Sequence, residues 1–244
     1  YNSWDEAAKD AIGYDDKAIL QKVRQSLLKV KNGEAVYERD SVLFDEIQYS
    51  WSLLAGLLYA SAISNGTLKV LDFGGSLGST YFQNKKFLDG LPNVSWSIVE
   101  QKHFVDIGKA DFEDDRLKFY YNLENCITNE SPNILILSSV LQYIKNWQAL
   151  MDSILSFTFD IIIVDLTPFS LQHKELITVQ KVSPDIYNAA YPCRIFDEHN
   201  FTKFFEKEYK LLETFQTMEN LRIYLSNGNE AIYKGFIYQR KKND

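Results

Sequence analysis

Seven stretches of the chain have the apolar or alternating pattern of β-strands. The first ends near residue 71, and the other six cover residues 94–99, 117–121, 133–137, 160–166, 210–217 and 231–240. The stretch 133–137 is apolar almost throughout, which is typical of a parallel strand that is covered on both faces. The pattern therefore predicts an α/β fold with a doubly wound, mostly parallel sheet.

Helical periodicity fills much of the remaining chain. Before the first strand, aliphatic residues repeat at helical spacing over 19–30, and 51–63 forms a second apolar helix. We expect residues 1–65 to be an N-terminal helical extension or lid, followed by one domain over residues 66–244. The same spacing predicts later helices with these apolar positions: Val140, Ile144, Trp147, Met151 and Ile154, and then Phe201, Phe204 and Phe205.

The stretch VLDFGGSLGSTYF, residues 70–82, combines a strand, a glycine turn and a helix. Asp72 closes the strand, and Gly74, Gly75 and Gly78 permit a turn that a side chain would obstruct. This order of elements is typical of nucleotide sites in α/β proteins.

Electrostatics distinguish between the nucleotides that such a loop can hold. The dinucleotide fingerprint G-x-G-x-x-G is matched only in part, since Ser76 and Ser79 stand at its second and third glycines, and no Gly-Lys-Ser/Thr follows as in a P-loop. The Asp72 carboxylate would repel a phosphate but attract a ligand with an ammonium and a sulfonium group. S-adenosylmethionine is such a cofactor.

The loop resembles the first motif of class I S-adenosylmethionine-dependent methyltransferases, acidic-x-G-x-G-x-G, which Asp72, Gly74, Ser76 and Gly78 fill with one replacement. Across nearly the whole chain, YERDSVLFD, DFGGSLGSTYFQN, VEQKHFV, LSSVLQY, DLTPF and IYNAAYPC resemble a bacterial methyltransferase family associated with surface-polysaccharide gene clusters. The resemblance implies a seven-stranded, Rossmann-like methyltransferase sheet with an antiparallel last strand and S-adenosylmethionine as cofactor.

Polar residues at the predicted strand ends extend the candidate cofactor site. Glu100 follows Asp72 by 28 positions (100 minus 72) and suits a ribose diol, because a carboxylate accepts both hydroxyl protons. Asn122 fits an adenine contact or a turn equally well, and Arg39 fits either a lid that binds the cofactor carboxylate or a solvated linker. The candidate cofactor-binding residues are Asp72, Phe73, Gly74, Gly75, Ser76, Gly78, Glu100, Gln101, Asn122, Ser138, Ser139, Gln142 and Arg39.

The segment after the fifth strand, about residues 167–198, shows no clean period and is the predicted acceptor pocket. A hydroxyl acceptor calls for a general base, for which His173 is the first candidate and Asp165 the alternative or orienting partner, although each also suits a structural role. The candidate substrate-binding residues are Thr167, Phe169, Gln180, Tyr187, Tyr191 and Arg194.

Composition narrows the function further. A net charge of −7 over 244 residues disfavours a nucleic-acid partner, which would need clustered lysine and arginine. The two cysteines belong to no His/Cys cluster, so the sequence predicts no metal site and favours free thiols in the cytoplasm. The apolar stretch 51–63 is too short to span a membrane. The oligomeric state stays open.

The predicted function is methyl transfer from S-adenosylmethionine to a small hydroxylated acceptor, a sugar or sugar nucleotide of surface polysaccharide. Transfer needs an aligned acceptor and exclusion of water more than it needs elaborate side-chain chemistry. Two alternatives stay open: a non-catalytic S-adenosylmethionine-binding subunit, and a dinucleotide-dependent oxidoreductase on the same sheet.

Overall fold

The computed structural model describes residues 1–11, 17–183, 189–217 and 222–242. The chain forms two compact units. Asp15–Ile136 is called the glycine-loop unit below, and Tyr1–Tyr14 together with Leu137–Asp244 is called the carboxy-terminal unit.

Helices and strands alternate along most of the chain. The helices are α1 (Trp4–Lys9), α2 (Lys17–Lys31), α3 (Trp51–Ile63), α4 (Ser79–Leu88), α5 (Lys102–Ile107), α6 (Leu123–Glu130), α7 (Trp147–Leu155) and α8 (Glu198–Glu206). The strands are β1 (Tyr37–Arg39), β2 (Val42–Phe44), β3 (Thr67–Phe73), β4 (Asn93–Val99), β5 (Leu117–Tyr120), β6 (Ile134–Ser138), β7 (Ile161–Ser170), β8 (Leu176–Lys181), β9 (Ala190–Ile195), β10 (Tyr209–Gln216), β11 (Arg222–Tyr224) and β12 (Glu230–Arg240).

The glycine-loop unit is built on parallel strands. β3 pairs with β4 on one side and with β6 on the other, and β4 pairs with β5. The four apolar residues of β6, Ile134 to Leu137, are all buried, which confirms a parallel strand covered on both faces. Trp96, Phe104 and Phe119 fill the core beside it. The predicted α/β fold with a mostly parallel sheet is confirmed.

The segment between α2 and α3 forms a hairpin. β1 and β2 pair antiparallel, with Arg39 opposite Val42, so that Asp40 and Ser41 form a two-residue turn. Both turn residues have positive φ, 52° and 64°, as a type I′ hairpin requires. The stretch predicted as a linker or lid therefore contains two short strands.

The strands of the carboxy-terminal unit are antiparallel. β12 pairs with β7 on one side and with β10 and β11 on the other, which confirms the predicted antiparallel last strand. Among the described residues β11 pairs with β12 alone, and it is a short strand in addition to the seven predicted ones.

β7 is longer than the predicted strand 160–166. Its register against β12 shifts beside Leu166, whose φ is 46°, and pairing then resumes, so the strand continues through a bulge. Thr167 and Phe169 are consequently buried strand residues, and Phe169 packs against Phe201 and Phe236, so neither forms the wall of a loop. This corrects their predicted place in an irregular segment.

The β8–β9 hairpin occupies most of the remaining predicted insertion. The residues of β8 before Lys181 are all partly exposed, so the strand lacks the buried and exposed alternation that reveals a strand in a sequence.

The helix predicted from Val140 begins later than expected. A 3₁₀ turn spans Leu141–Tyr143, and α7 starts at Trp147. Trp147 and Met151 are buried, as predicted. Within the described ranges, every helix falls short of the length and apolar character that crossing a bilayer requires.

Candidate functional site

The glycine loop joins β3 to α4, and three of its five residues have positive φ: Gly74 (75°), Ser76 (54°) and Gly78 (104°). The Gly74 amide donates to the Val99 carbonyl at 2.9 Å and so ties the loop to the end of β4. The predicted order of strand, glycine turn and helix is confirmed.

Asp72 lies beneath this loop with only 1% of its surface exposed. Its Oδ2 accepts a hydrogen bond from Trp96 Nε1 at 3.1 Å. A Cβ on Gly75 would lie 2.5 Å from the Asp72 carboxyl carbon and Oδ2, so only glycine lets the loop fold over the carboxylate. Burial, with a smaller contribution from the nearby Glu100 charge, raises the pKa of Asp72 to about 7.

Glu100 holds the loop from the end of β4. Its Oε2 accepts from the Gln101 amide at 2.6 Å, and the carboxylate also accepts a backbone hydrogen bond from Ser76. Burial raises the pKa of Glu100 in spite of these bonds. An amide of the loop that a phosphate would need is thus already bonded to a carboxylate of the protein.

The hydroxyl of Ser76 is buried and has no hydrogen-bond partner among the described residues. Buried polar atoms are nearly always satisfied, so this hydroxyl calls for a partner such as a water molecule or a ligand. The donor and acceptor capacity of this hydroxyl fits a polar group of an adenosyl ligand.

Glu38, which was not among the predicted site residues, lies beside the glycine loop at the start of α4. It is 2% exposed, its Oε2 accepts from Ser79 Oγ at 2.7 Å, and its Oε1 accepts from the Ser41 amide at 2.7 Å. Burial raises its pKa, against the opposing effect of the two hydrogen bonds. In addition to Asp72 and Glu100 at the glycine loop, the hairpin thereby places the Glu38 carboxylate beside Ser79, the first residue of α4.

Arg39 follows Glu38 on β1, and successive strand side chains point to opposite faces. Its guanidinium lies 5.3 Å from the centre of the Phe44 ring. Its contact with the cofactor carboxylate stays a prediction.

The other predicted residues of this unit occupy the strand ends. Phe73 is the last residue of β3, and Gln101 precedes α5 with its side chain exposed. Asn122 is exposed and caps α6, since its side chain accepts from the Asn125 amide at 2.9 Å. Asn122 is therefore a helix N-cap, and its side-chain NH2 group can still donate to adenine, which stays a prediction.

Ser139 and Gln142 are connected to the end of β7 within the carboxy-terminal unit. The Ser139 amide donates to the Asp165 carbonyl at 3.1 Å, and Gln142 Nε2 donates to Ser139 Oγ at 3.2 Å and to the Leu166 carbonyl at 3.1 Å. Gln142 is fully buried, so its amide nitrogen serves the fold. Ser138, the last residue of β6, is partly exposed.

The two candidate bases lie in different surroundings. Asp165 is 2% exposed in β7, where its carboxylate accepts from the Leu166 amide at 2.9 Å. His173 is exposed in the turn after β7 with φ of 52°. It borders a groove of about 490 Å³ between α8 and β10, whose lining includes Glu198 and Tyr238.

Three predicted acceptor residues gather on the β8–β9 hairpin. Tyr143, which the sequence did not single out, donates its hydroxyl to Gln180 Oε1 at 3.0 Å and packs edge-on against Tyr191, with ring centres 5.0 Å apart. Burial raises the pKa of Tyr143 well above its ordinary value, so the hydroxyl stays a donor. Tyr187 lies outside the described residues.

Arg194 is the third of these residues, and it is buried. It pairs with Glu175, donates to the Lys145 carbonyl at 3.0 Å and lies 5.5 Å from the ring centre of Trp4 on α1. Its Nε has no hydrogen-bond partner among the described residues. The groove that His173 borders is lined by none of the four residues of this cluster, Tyr143, Gln180, Tyr191 and Arg194.

Comparison with known proteins places the fold. No protein-family model and no curated protein matches the sequence. Among solved structures, the N-terminal domain of EvdMO1 with SAH bound is 12% identical over 90% of this chain and 97% of that chain, with a TM-score of 0.50. LepI in complex with SAM is 9% identical over 91% of this chain and 64% of that chain, also with a TM-score of 0.50. Magnesium protoporphyrin IX methyltransferase from Synechocystis with bound SAM is 13% identical over 76% of this chain and 78% of that chain, with a TM-score of 0.46.

The fold is that of the Rossmann-like methyltransferases. In doubly wound sheets ligands bind beyond the carboxyl ends of the strands, which is where the glycine loop, Asp72 and Glu100 lie. Within the described ranges, no lysine or arginine forms an ion pair with Asp72, Glu100 or Glu38. When these carboxyl groups are ionised, the charge around the loop is negative, which favours a cationic ligand over a phosphate.

Proposed function

We propose that the protein is an S-adenosylmethionine-dependent methyltransferase that holds its cofactor at the glycine loop. The observation that carries the proposal is the combination of a buried Asp72 carboxylate and the orphan Ser76 hydroxyl in a loop of positive-φ residues. A cationic adenosyl ligand supplies the positive charge and the polar partner that these groups lack.

Asp72, Ser76 and Glu100 each have a separate role in this proposal. Glu100 accepts the two ribose hydroxyls, and Asp72 neutralises positive charge of the methionine portion. Ser76 completes the hydrogen bonding. When bound, S-adenosylmethionine supplies a methyl group on a sulfonium that is already activated for transfer.

The two other candidate functions differ in testable ways. A dinucleotide oxidoreductase would place a pyrophosphate where Glu100 already takes the Ser76 amide, and this disfavours it. A non-catalytic S-adenosylmethionine-binding subunit would share the cofactor site but transfer no methyl group, so it differs only in turnover.

For the acceptor we propose a small hydroxylated molecule, a sugar or sugar nucleotide of surface polysaccharide, methylated on oxygen. The support is the cluster of Tyr143, Gln180, Tyr191 and Arg194, in which aromatic faces lie beside an amide and beside a buried guanidinium that is paired with Glu175. Aromatic faces pack on the apolar patches of sugar rings while polar groups bind their hydroxyls. Asp165 and His173 stay the candidates for the base.

The reaction is tested by incubating the protein with S-adenosylmethionine and a panel of saccharides and sugar nucleotides, followed by mass spectrometry. We expect one saccharide to gain a methyl group on oxygen. Cofactor binding without transfer to any acceptor would favour the non-catalytic subunit, and transfer to an amine would contradict the O-methylation proposal.

Tyr191→Ala is expected to lower kcat/KM for the saccharide by about ten-fold or more, because an aromatic contact surface of the acceptor cluster is lost. The affinity for S-adenosylhomocysteine, measured by calorimetry, should change by less than about two-fold. The matched control is Tyr224→Ala, a tyrosine of β11 that is 73% exposed. Equal activity of the two variants would remove Tyr191 from the acceptor site.

A further inference from the structure

Glu38 lies beside the start of α4, the helix that follows the glycine loop. Its carboxylate accepts from the hydroxyl of Ser79, the first residue of α4, at 2.7 Å. Gly78, at the N-cap, has no side chain to bond the free amides of the first turn. The charged group at the start of this ten-residue helix is thus supplied from β1.

A helix start attracts anions for two reasons. The amides of its first turn have no partners within the helix, and the aligned peptide dipoles place partial positive charge there. Dinucleotide-binding folds use this site, directly after the glycine loop, for a pyrophosphate. In this protein a carboxylate that is 2% exposed accepts a hydrogen bond from the hydroxyl of the first residue of that helix.

The negative charge of Glu38 has little compensation. Its other oxygen accepts from the Ser41 amide, and in the described part of the chain no lysine or arginine pairs with it. Arg39 is turned toward Phe44. An incoming phosphate would therefore meet a buried like charge, which salt screens only weakly.

We infer that Glu38 is a specificity-determining residue: its carboxylate takes the anion position at the start of α4, excludes pyrophosphate-containing ligands and leaves the loop selective for a cationic adenosyl ligand. The inference rests on the proposed function, because it explains how the same sheet and loop reject a dinucleotide. A residue that only closed the hairpin turn would affect stability and not the choice between anionic and cationic ligands.

The test uses Glu38→Gln, which removes the charge and keeps the shape and an acceptor oxygen. We expect the affinity for NAD and for inorganic pyrophosphate to rise by at least about ten-fold, because a close like-charge pair is removed. The affinity for S-adenosylmethionine should fall. Glu38→Asp, which retains the charge, should reject both anions as the wild type does.

Glu46→Gln is the matched control, since it changes the same charge at an exposed position of the same unit. We expect no gain in pyrophosphate affinity for it. Thermal denaturation checks that each variant is folded, and Glu38→Met, of similar volume, replaces Glu38→Gln if the latter is not.

The outcomes separate the inference from the proposed function. A folded, uncharged variant at position 38 that binds pyrophosphate no better than the wild type overturns the inference, even if the wild type binds S-adenosylhomocysteine. Wild-type protein that does not bind S-adenosylhomocysteine overturns the proposed function, whatever the pyrophosphate result.

Discussion

Gly75→Ala is expected to lower the affinity for S-adenosylhomocysteine by about 100-fold or more. The added methyl group would lie 2.5 Å from the carboxyl carbon and Oδ2 of Asp72, a separation that non-bonded atoms do not tolerate. Either the loop lifts away or Asp72 rotates and gives up its bond to Trp96. Both changes misplace hydrogen bonds to charged groups, each worth roughly 1.5–3 kcal/mol, and losing two of them gives this magnitude.

Gly90→Ala is the control for this variant. Gly90 has an ordinary backbone conformation, and a Cβ there would approach only the Phe87 carbonyl, at 3.4 Å. Its cofactor affinity, measured by calorimetry, should match that of the wild type. A folded Gly75→Ala protein with wild-type affinity would show that the ligand does not depend on the packing of the loop over Asp72.

The affinity for S-adenosylmethionine is expected to be about 100-fold lower at pH 5 than at pH 8. The Asp72 pKa of about 7 in the free protein means that roughly 1% of this carboxyl is ionised at pH 5, and the ionised form is the one that attracts a cation. Binding should therefore release a proton below pH 7, which calorimetry in buffers of different ionisation enthalpy detects.

The stability of the ligand-free protein should have the opposite dependence on pH. Because the folded pKa of Asp72 lies above that of the unfolded chain, the native state binds more protons between about pH 4 and pH 7. The free energy of unfolding therefore falls as the pH rises through this range. Asp72→Asn should remove most of the pH dependence of both the cofactor affinity and the free energy of unfolding. If the variant keeps the wild-type slopes, a group other than Asp72 is responsible for them.

The sequence predicted the parallel part of the fold because its strands are apolar on both faces. The stretch that ends at Asp72 and the run 133–137 can each be identified as a strand from their own residues, without knowledge of the strands they pair with. The strands that were missed lack this signal. β8 is half-exposed on both faces, and each strand of the β1–β2 hairpin has three residues, too few to show a period.

The site was predicted where it depends on local sequence and missed where it depends on pairing. Asp72 and the glycines are adjacent in the chain, whereas Glu38 reaches Ser79 only through the hairpin, 41 positions away. Gly78 was predicted to permit a turn, and a Cβ there would lie 3.4 and 3.5 Å from the side chains of Leu117 and Ile98. Its φ of 104° is what requires glycine.

We conclude that the loop binds an adenosyl cofactor and not a dinucleotide. Titration calorimetry of the wild-type protein with S-adenosylhomocysteine and with NAD tests this most directly. We expect saturable one-site binding of S-adenosylhomocysteine and far weaker binding of NAD. Thermal denaturation should agree, since a ligand at 100 times its Kd adds about 2.7 kcal/mol to the free energy of unfolding. Tighter binding of NAD than of S-adenosylhomocysteine would contradict the claim.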